Sequence, residues 1–149
     1  MLPQAILLVD DDEDYLELAR RVLHRDGGGL DVRVTRSGAG ALDLLGLGGG
    51  AKEPTPGIVA AFVDLNLPGV DGWEVLRRVR ADPRLRWLPV VVVSSSARAD
   101  DVRRSYELGA NSYIVKRYDH GGPGPQLLLA MRYWLEVNHP ATRVAGVSS

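Results

Sequence analysis

Short apolar runs alternate with amphipathic segments along the whole chain. Four apolar runs are too short for helices, which indicates strands over 5–9, 58–63, 88–93 and 112–115. Residues 31–35 alternate like a short strand, with Val32 and Val34 on one face. Between and after them, apolar residues recur at helical spacing, which predicts helices over 15–25, 37–47, 73–81, 99–108 and 126–138. Gly27, Pro83 and Gly109 follow three of these helices as end signals.

The order of these segments is strand then helix, repeated five times. Strands this apolar are covered on both faces, so the pattern predicts an α/β fold with a doubly wound parallel sheet. We expect one domain over residues 1–140 and a flexible tail over 141–149. The Gly- and Pro-rich stretch 46–57 is interpreted as a surface insertion, because the same alternation resumes after it.

Composition narrows the class of protein. The 149 residues carry a net charge of −1, so no basic field favours binding to DNA or to an anionic membrane. The absence of cysteine excludes disulfides, thiolate zinc sites and cysteine nucleophiles. No apolar run has the length of a membrane span, so we expect a cytoplasmic protein. Only two of the 18 basic residues are lysines, Lys52 and Lys116.

Polar residues stand where four of the predicted strands end. Because ligand sites in parallel sheets lie at the carboxyl ends of the strands, we expect these side chains to converge: Asp10, Asp11, Asp64, Ser94 and Lys116. Three carboxylates in one place repel each other by about 4 kcal/mol per pair at ~4 Å, and a cation relieves this repulsion. Oxygen ligands without sulfur suit Mg²⁺, and Mn²⁺ also fits.

Such a pocket suits phosphoryl transfer. Asp64 is the candidate nucleophile, Lys116 would neutralise a phosphoryl oxygen, and the Ser94 hydroxyl would donate to another. Each residue alone also has a structural reading: Asp64 as a turn residue, Ser94 as part of an ordinary loop, and Lys116 as a surface side chain. Residues 12–14 are interpreted as an acidic helix start.

Four motifs together resemble the receiver domain of two-component response regulators. They are LLVDDD (Leu7–Asp12), FVDLNLPGVDGWEVL (Phe62–Leu76), LPVVVVSSS (Leu88–Ser96) and GANSYIVK (Gly109–Lys116). The resemblance implies a flavodoxin-like fold with strand order 2-1-3-4-5. It also implies a signalling domain that catalyses only its own phosphorylation and dephosphorylation, and is not an enzyme acting on a free metabolite.

The resemblance assigns roles to individual residues. Asp64 would accept the phosphoryl group from a sensor histidine kinase, with Lys116 pairing with that group. Mg²⁺ would be bound by Asp11 directly, by Asp10 through water, by Asp64 and by the Asn66 backbone carbonyl. Ser94 and Tyr113 would be the switch residues, and Asn66 and Ser96 would tune dephosphorylation. Phosphorylation would draw Ser94 and Tyr113 inward and change the face formed by the fourth helix, fifth strand and fifth helix.

Two features depart from the usual receiver pattern, and three stretches of sequence point to a particular subfamily. Lys116 is followed by Arg117 where receivers usually have a cis proline, which leaves the isomer of this peptide open. The 46–57 loop is longer than usual. The Lys116–Arg117 junction, Ser105–Lys116 and Tyr133–Pro140 resemble the small stand-alone receivers paired with phytochrome-type histidine kinases in cyanobacteria and their relatives.

The last predicted helix has two apolar rows. One is Leu128, Met131 and Leu135, and the other is Leu127, Ala130, Trp134 and Val137. Because packing on a sheet needs one row, the second indicates an exposed interface and a homodimer through Leu127, Met131 and Trp134. The alternative is a single wide buried face.

Three other functions compete with the receiver interpretation. A haloacid-dehalogenase-type phosphatase also uses an aspartate nucleophile with Mg²⁺, but position 66 is Asn where it needs a second acid. A pseudo-receiver would be a binding module that is not phosphorylated; the full set of polar residues argues against it. Flavodoxin-type nucleotide binding would require a Gly-rich phosphate loop after the first strand, but acidic residues stand there and would repel phosphate.

Overall fold

A computed structural model describes residues 4–50, 53–119 and 121–141. Within them the elements follow the predicted order: β1 (Ala5–Val9), α1 (Glu13–Asp26), β2 (Asp31–Thr35), α2 (Gly38–Leu44), β3 (Ile58–Val63), α3 (Gly72–Ala81), β4 (Val90–Ser94), α4 (Ala99–Glu107), β5 (Ser112–Val115), α5 (Pro123–Arg132) and a π-helical turn (Tyr133–Val137). The predicted tail lies, beyond residue 141, outside the described residues.

The five strands form one parallel sheet in the order β2-β1-β3-β4-β5. The predicted doubly wound fold and its strand order are therefore confirmed. Chain order reverses beside β1, since β2 lies on one side of it and β3 on the other. All five strands run the same way, so their carboxyl ends share one edge of the sheet.

Two layers of apolar side chains hold the helices to the sheet. Strands β1 and β4 are buried along their whole length, as expected when both faces are covered. One cluster packs β1, β3 and β4 against α2 and α3, through Val75, Leu76 and Val79 of α3. The other packs the opposite face against α1 and α5, through Leu16, Leu127 and Met131.

Helix α3 begins in direct contact with the chain that follows β3. The Asp71 side chain caps it by accepting from the Glu74 N–H at 2.9 Å. The Gly72 N–H donates to the Leu65 carbonyl at 3.1 Å. A Cβ on Gly72 would lie 2.1 Å from the Asp64 carbonyl oxygen, so this close approach requires glycine.

Helix α5 differs from the prediction at both ends. It starts at Pro123, three residues before the predicted Gln126, because proline at the first helical position needs no N–H partner. Its α-helical part ends at Arg132, and the Asn138 N–H then donates to the Tyr133 carbonyl, which closes a π-helical turn.

The predicted interface on this helix was wrong in two of its three residues. Leu127 and Met131 are 2% and 0% exposed within the core of the chain itself, and Trp134 is half-buried against that core. Helix α1 packs alongside α5, and the two predicted rows form one wide buried face up to Trp134, whereas Val137 at the end of the second row is exposed. The exposed apolar residues form a third row, Leu129, Tyr133 and Val137.

The loop that follows α2 is attached to the body of the protein. The Thr55 N–H donates to the Leu44 carbonyl at 2.7 Å. Two arginines bind the loop's backbone from outside it: Arg78 donates to the Leu47 carbonyl at 2.8 Å, and Arg84 to the Gly46 carbonyl at 3.2 Å. Its described part therefore lies against α3 and the segment after it, at the surface.

The peptide between Lys116 and Arg117 is trans, as are all others within residues 4–50, 53–119 and 121–141. Among the helices of this described part, none combines the length and apolar character needed to cross a membrane.

Candidate functional site

Backbone hydrogen bonds bring the ends of the strands together. The Asp64 N–H donates to the Val9 carbonyl at 2.9 Å, which sets β3 beside β1. The Lys116 N–H donates to the Ser94 carbonyl at 2.8 Å, which sets β5 beside β4. The residues that follow or end these strands therefore surround one pocket, as the sequence predicted.

Three carboxylates form a cluster in this pocket. Oxygens of Asp10, Asp11 and Asp64 all lie within 4.8 Å of one another. Asp10 is fully buried, Asp64 is 6% exposed, and Asp11 is the most accessible of the three. Clustered carboxylate oxygens without nitrogen or sulfur ligands are the donor set of a hard divalent cation, so these residues could bind a metal ion such as Mg²⁺ or Mn²⁺.

Asp10 uses its two carboxylate oxygens differently. Oδ1 accepts from the Asp12 N–H at 2.9 Å. Oδ2 is buried and has no well-aligned hydrogen bond, although the Lys116 ammonium is 2.8 Å away. We interpret the contact with Lys116 as an ion pair whose angular geometry leaves a lone pair of Oδ2 free. A buried oxygen with unused acceptor capacity fits a group that receives metal-bound water.

The Lys116 ammonium reaches both buried acids. Its Nζ is 2.8 Å from Asp10 Oδ2 and 3.5 Å from Asp64 Oδ2, and its side chain is only 2% exposed. Burial acts to lower the pKa of Lys116, but its close contact with the Asp10 carboxylate and the charge of Asp64 hold it above its ordinary value. The site therefore contains a fixed positive charge beside the Asp64 carboxylate.

Burial has the opposite effect on Asp10. Desolvation raises the pKa of its carboxyl group to about 6, even though Lys116 and the Asp12 N–H act to lower it. The nearby charge of Asp64 adds to the increase. Ionised Asp10 therefore carries an energetic cost that a bound divalent cation would offset.

The predicted switch residues lie beside one another. Ser94 is fully buried, and its Oγ accepts from the Ser96 N–H at 3.1 Å. Tyr113 packs half-buried against the core on the α2–α3 side, and its hydroxyl donates to the Ser96 carbonyl at 2.9 Å. Ser96 thus connects to both, while its own hydroxyl donates to Asp101 of α4 at 2.6 Å.

Asn66 and Asp12 lie at the rim of the pocket. Asn66 is exposed, and its N–H makes a long contact of 3.4 Å with Asp64 Oδ1. The Asp12 side chain accepts from the N–H groups of Asp14 and Tyr15 and so caps α1. The interpretation of residues 12–14 as a helix start fits this geometry.

The sequence pattern does not predict two contacts of the site. The Tyr15 ring lies under the Lys116 ammonium, 4.2 Å from its Nζ, and Asp101 accepts from Ser96. Tyr15 falls on the apolar face of α1, so periodicity shows only that it is buried. Which polar group the ring touches depends on how α1 packs against the adjacent face of the sheet.

The chain matches the model of the response regulator receiver domain over residues 6–122. The chain belongs to this family. The receiver resemblance read from the four motifs is therefore confirmed, and receiver domains are signalling domains.

Several relatives are similar over most of their length. The probable methanogenesis regulatory protein FilR2 of Methanothrix harundinacea is 38% identical over 136 residues, 91% of this chain and 86% of that protein. Response regulator Rcp1 of Synechocystis is 37% identical over 115 residues, 76% of this chain and 77% of that protein. The structure of its Mn(2+)-bound form has a TM-score of 0.77 and 31% identity, with 94% of this chain and all of that one covered.

A third relative is described as a phosphorylated cyanobacterial phytochrome response regulator, RcpA. Its crystal structure has a TM-score of 0.76 and 30% identity, and covers 95% of this chain and 100% of that one. The relatives of this receiver therefore include response regulators of phytochrome systems.

Proposed function

We propose that this receiver accepts a phosphoryl group on Asp64 from a sensor histidine kinase in the presence of Mg²⁺. The observation that carries the proposal is the Lys116 ammonium, sealed from solvent and 3.5 Å from Asp64 in the cluster of three carboxylates. A buried cation next to a nucleophile is what a transferring phosphoryl group requires, since its charge spreads over its oxygens during transfer.

The transfer needs no reactant besides the phosphoryl donor and Asp64. An Asp64 carboxylate oxygen attacks phosphorus, the new O–P bond forms, and the bond from phosphorus to the donor's histidine nitrogen or acetate oxygen breaks. Lys116 donates to a phosphoryl oxygen from its place beside Asp64. Asp10, Asp11, Asp64 and the Asn66 carbonyl would hold Mg²⁺, which when bound supplies positive charge to the phosphoryl oxygens. Water later attacks the acyl phosphate and releases inorganic phosphate.

The signal would leave through the face formed by α4, β5 and α5. Ser94 and Tyr113 both contact Ser96, and Ser96 contacts Asp101 in α4. A phosphoryl oxygen that attracts the Ser94 hydroxyl would disturb its bond with the Ser96 N–H and pass the change to Tyr113 and α4. This chain of contacts supports Ser94 and Tyr113 as the switch and Ser96 as a tuning position.

Incubation with acetyl phosphate and Mg²⁺ tests the proposal. Intact-mass spectrometry is expected to show one added phosphoryl group in the wild type and none in Asp64→Asn. Asp12→Asn is the matched control, because Asn caps a helix as well as Asp does and the residue is not in the cluster. Absence of the adduct in wild type would contradict the proposal and favour the pseudo-receiver. Continuous phosphate release from a small phosphomonoester would favour the phosphatase.

We also propose a phytochrome-type histidine kinase as the phosphoryl donor. The likeness to the phytochrome response regulator RcpA supports it, whereas FilR2 is described as a probable methanogenesis regulatory protein. Phosphotransfer from a purified phytochrome-type kinase should then be at least tenfold faster than from an unrelated histidine kinase. Equal rates from both kinases would remove this assignment and leave phosphorylation of Asp64 intact.

A homodimer through the C-terminal helix remains our proposal, with corrected contact residues. Leu129, Tyr133 and Val137 are 75%, 47% and 70% exposed and form one row that continues from α5 into the π-helical turn. Light scattering should show a dimer that Leu129→Asp dissociates and Glu136→Asp leaves intact. A monomer at high concentration, with and without phosphorylation, would contradict it.

A further inference from the structure

The Lys116 ammonium has a third neighbour besides its two carboxylates. Asp10 and Asp64 approach the ammonium from the pocket, and the centroid of the Tyr15 ring lies 4.2 Å from Nζ. An ammonium carries three N–H donors and is attracted to the electron-rich face of an aromatic ring. The ring thus occupies a direction from which water would otherwise approach.

Tyr15 is itself held firmly. Its side chain is 2% exposed and belongs to the core formed by α1, α5 and the adjacent face of the sheet. It stands in the first turn of α1, where its N–H donates to the capping Asp12 carboxylate at 3.3 Å. Burial, followed by the charges of Asp10 and Asp64, raises the pKa of the Tyr15 hydroxyl above its ordinary value, so the ring is neutral at physiological pH.

A ring differs from a carboxylate or water as a partner of the ammonium. It attracts the charge through its face and not through an acceptor oxygen, so the N–H donors on the side of Asp10 and Asp64 remain available to oxygens in the pocket. It also cannot leave the site, because it is part of the core. The attraction therefore persists when Lys116 exchanges one oxygen partner for another.

We propose that Tyr15 is a positioning residue for Lys116: its ring face holds the ammonium against Asp64 and thereby increases the rate at which Asp64 is phosphorylated. This inference rests on the function proposed above. Asp64 forms the new bond to phosphorus, and the bond between phosphorus and the donor's leaving group breaks. Tyr15 touches neither and acts only through the lysine.

The first test reads the contact directly. The chain has two lysines, Lys52 and Lys116, so protein labelled with [¹³Cε]lysine gives two ε-methylene signals, which Lys52→Arg assigns. The ring current of Tyr15 should displace the Lys116 protons upfield. Tyr15→Leu should abolish the displacement, and Tyr15→Phe should retain it because the ring is kept. Met131→Ala is the control for lost packing, since Met131 is buried in the same core on another helix.

The second test measures phosphorylation by acetyl phosphate at saturating Mg²⁺. Tyr15→Leu should slow the reaction between about 2-fold and 30-fold, the range that a cation–π contact supports. Tyr15→Phe and Met131→Ala should stay near the wild-type rate. All variants are assayed at a temperature at which far-UV circular dichroism shows them folded.

Three results would overturn the inference. They are a wild-type rate in Tyr15→Leu, an equal loss in Met131→Ala, which would indicate packing alone, and an equal loss in Tyr15→Phe, which would indicate the hydroxyl. A wild type that takes up no phosphoryl group refutes the proposed function and with it the effect on rate. The Lys116 signal is read in unphosphorylated protein, so it still decides whether the ring holds the ammonium.

Discussion

Helices α3 and α4 follow adjacent strands but are attached to the protein very differently. Helix α3 buries Gly72, Val75, Leu76 and Val79 and is capped by Asp71. Helix α4 buries only Ser105, and the Arg98 side chain at its start caps nothing. Buried apolar contacts set the cost of opening a segment, so α3 belongs to the rigid part of the receiver and α4 to the part that can shift.

Two contacts with Trp73 of α3 help to attach α4 to the protein. The Trp73 indole N–H donates to the buried Ser105 hydroxyl at 3.1 Å, and the Arg104 guanidinium lies 4.1 Å from the Trp73 ring centroid. Ser96 adds one bond to Asp101. A helix held by a few such contacts can be repositioned at small cost, which suits the element that transmits a switch.

The largest expected effect is a difference in the free energy of unfolding between two side-chain truncations to alanine, one in α3 and one in α4. Leu76→Ala should lower the free energy of unfolding by about 2 to 5 kcal/mol, because it leaves a cavity in the core. Val102→Ala in α4 should cost less than about 1 kcal/mol, since Val102 is half-exposed. Urea unfolding measures both, and equal losses would break the comparison.

The second prediction concerns how the free energy of unfolding depends on pH. It applies to global unfolding, in which the rigidly packed α3 takes part. The folded pKa of Asp10, about 6, exceeds the ordinary value of 3.8, so the folded chain binds this proton more tightly than the unfolded chain. Its contribution to the free energy of unfolding is full below pH 3.8 and is lost as pH rises through 6. Asp10→Asn should therefore be more stable than wild type at pH 7 without divalent cations, by about 1 to 3 kcal/mol. Urea titrations at several pH values that give parallel curves for both proteins would contradict this.

A smaller effect is expected from the cap of α3. Asp71→Ala should cost about 1 kcal/mol, because the Glu74 N–H loses its partner. Asp71→Asn retains an acceptor and should stay within a few tenths of a kcal/mol of wild type. Thermal unfolding compares the two, and a loss in both would point to charge instead of capping.

The smallest predicted effect is a gain in α4. Arg98→Ser supplies the side-chain acceptor that this helix start lacks, so it should stabilise α4 locally by about 0.5 to 1 kcal/mol. Hydrogen exchange should show slower opening of the α4 amides and unchanged α3 amides. If α3 amides slow equally, the two helices open together and do not differ as described.

The strand-end residues were predictable because two simple signals coincide. Apolar runs end at Asp10, Asp64 and Lys116, and parallel strands present their carboxyl ends at one edge. Side-chain periodicity could not show which helix covers which face. The two rows of α5 therefore predicted an interface at Leu127 and Met131, although α1 buries both.

Arg80 shows the same limit for a charged residue. Its position near the end of an amphipathic helix gives no sign of burial, yet the guanidinium donates to the carbonyls of Gly109, Arg86 and Leu88 and to the Asn111 side chain. Desolvation lowers its pKa accordingly. Gly109 and Asn111 are 29 and 31 residues away in sequence, so only the folded chain places all four acceptors around one side chain.

The glycine at the start of α3 has a mechanical consequence for signalling. With hydrogen in place of a methyl group, Gly72 lets the helix rest directly on the main-chain oxygen of the phospho-acceptor candidate Asp64. If Asp64 is phosphorylated as we propose, this contact would restrain its main chain on the side of α3. We would then expect the response in Ser94 and in α4, whose only buried residue is Ser105.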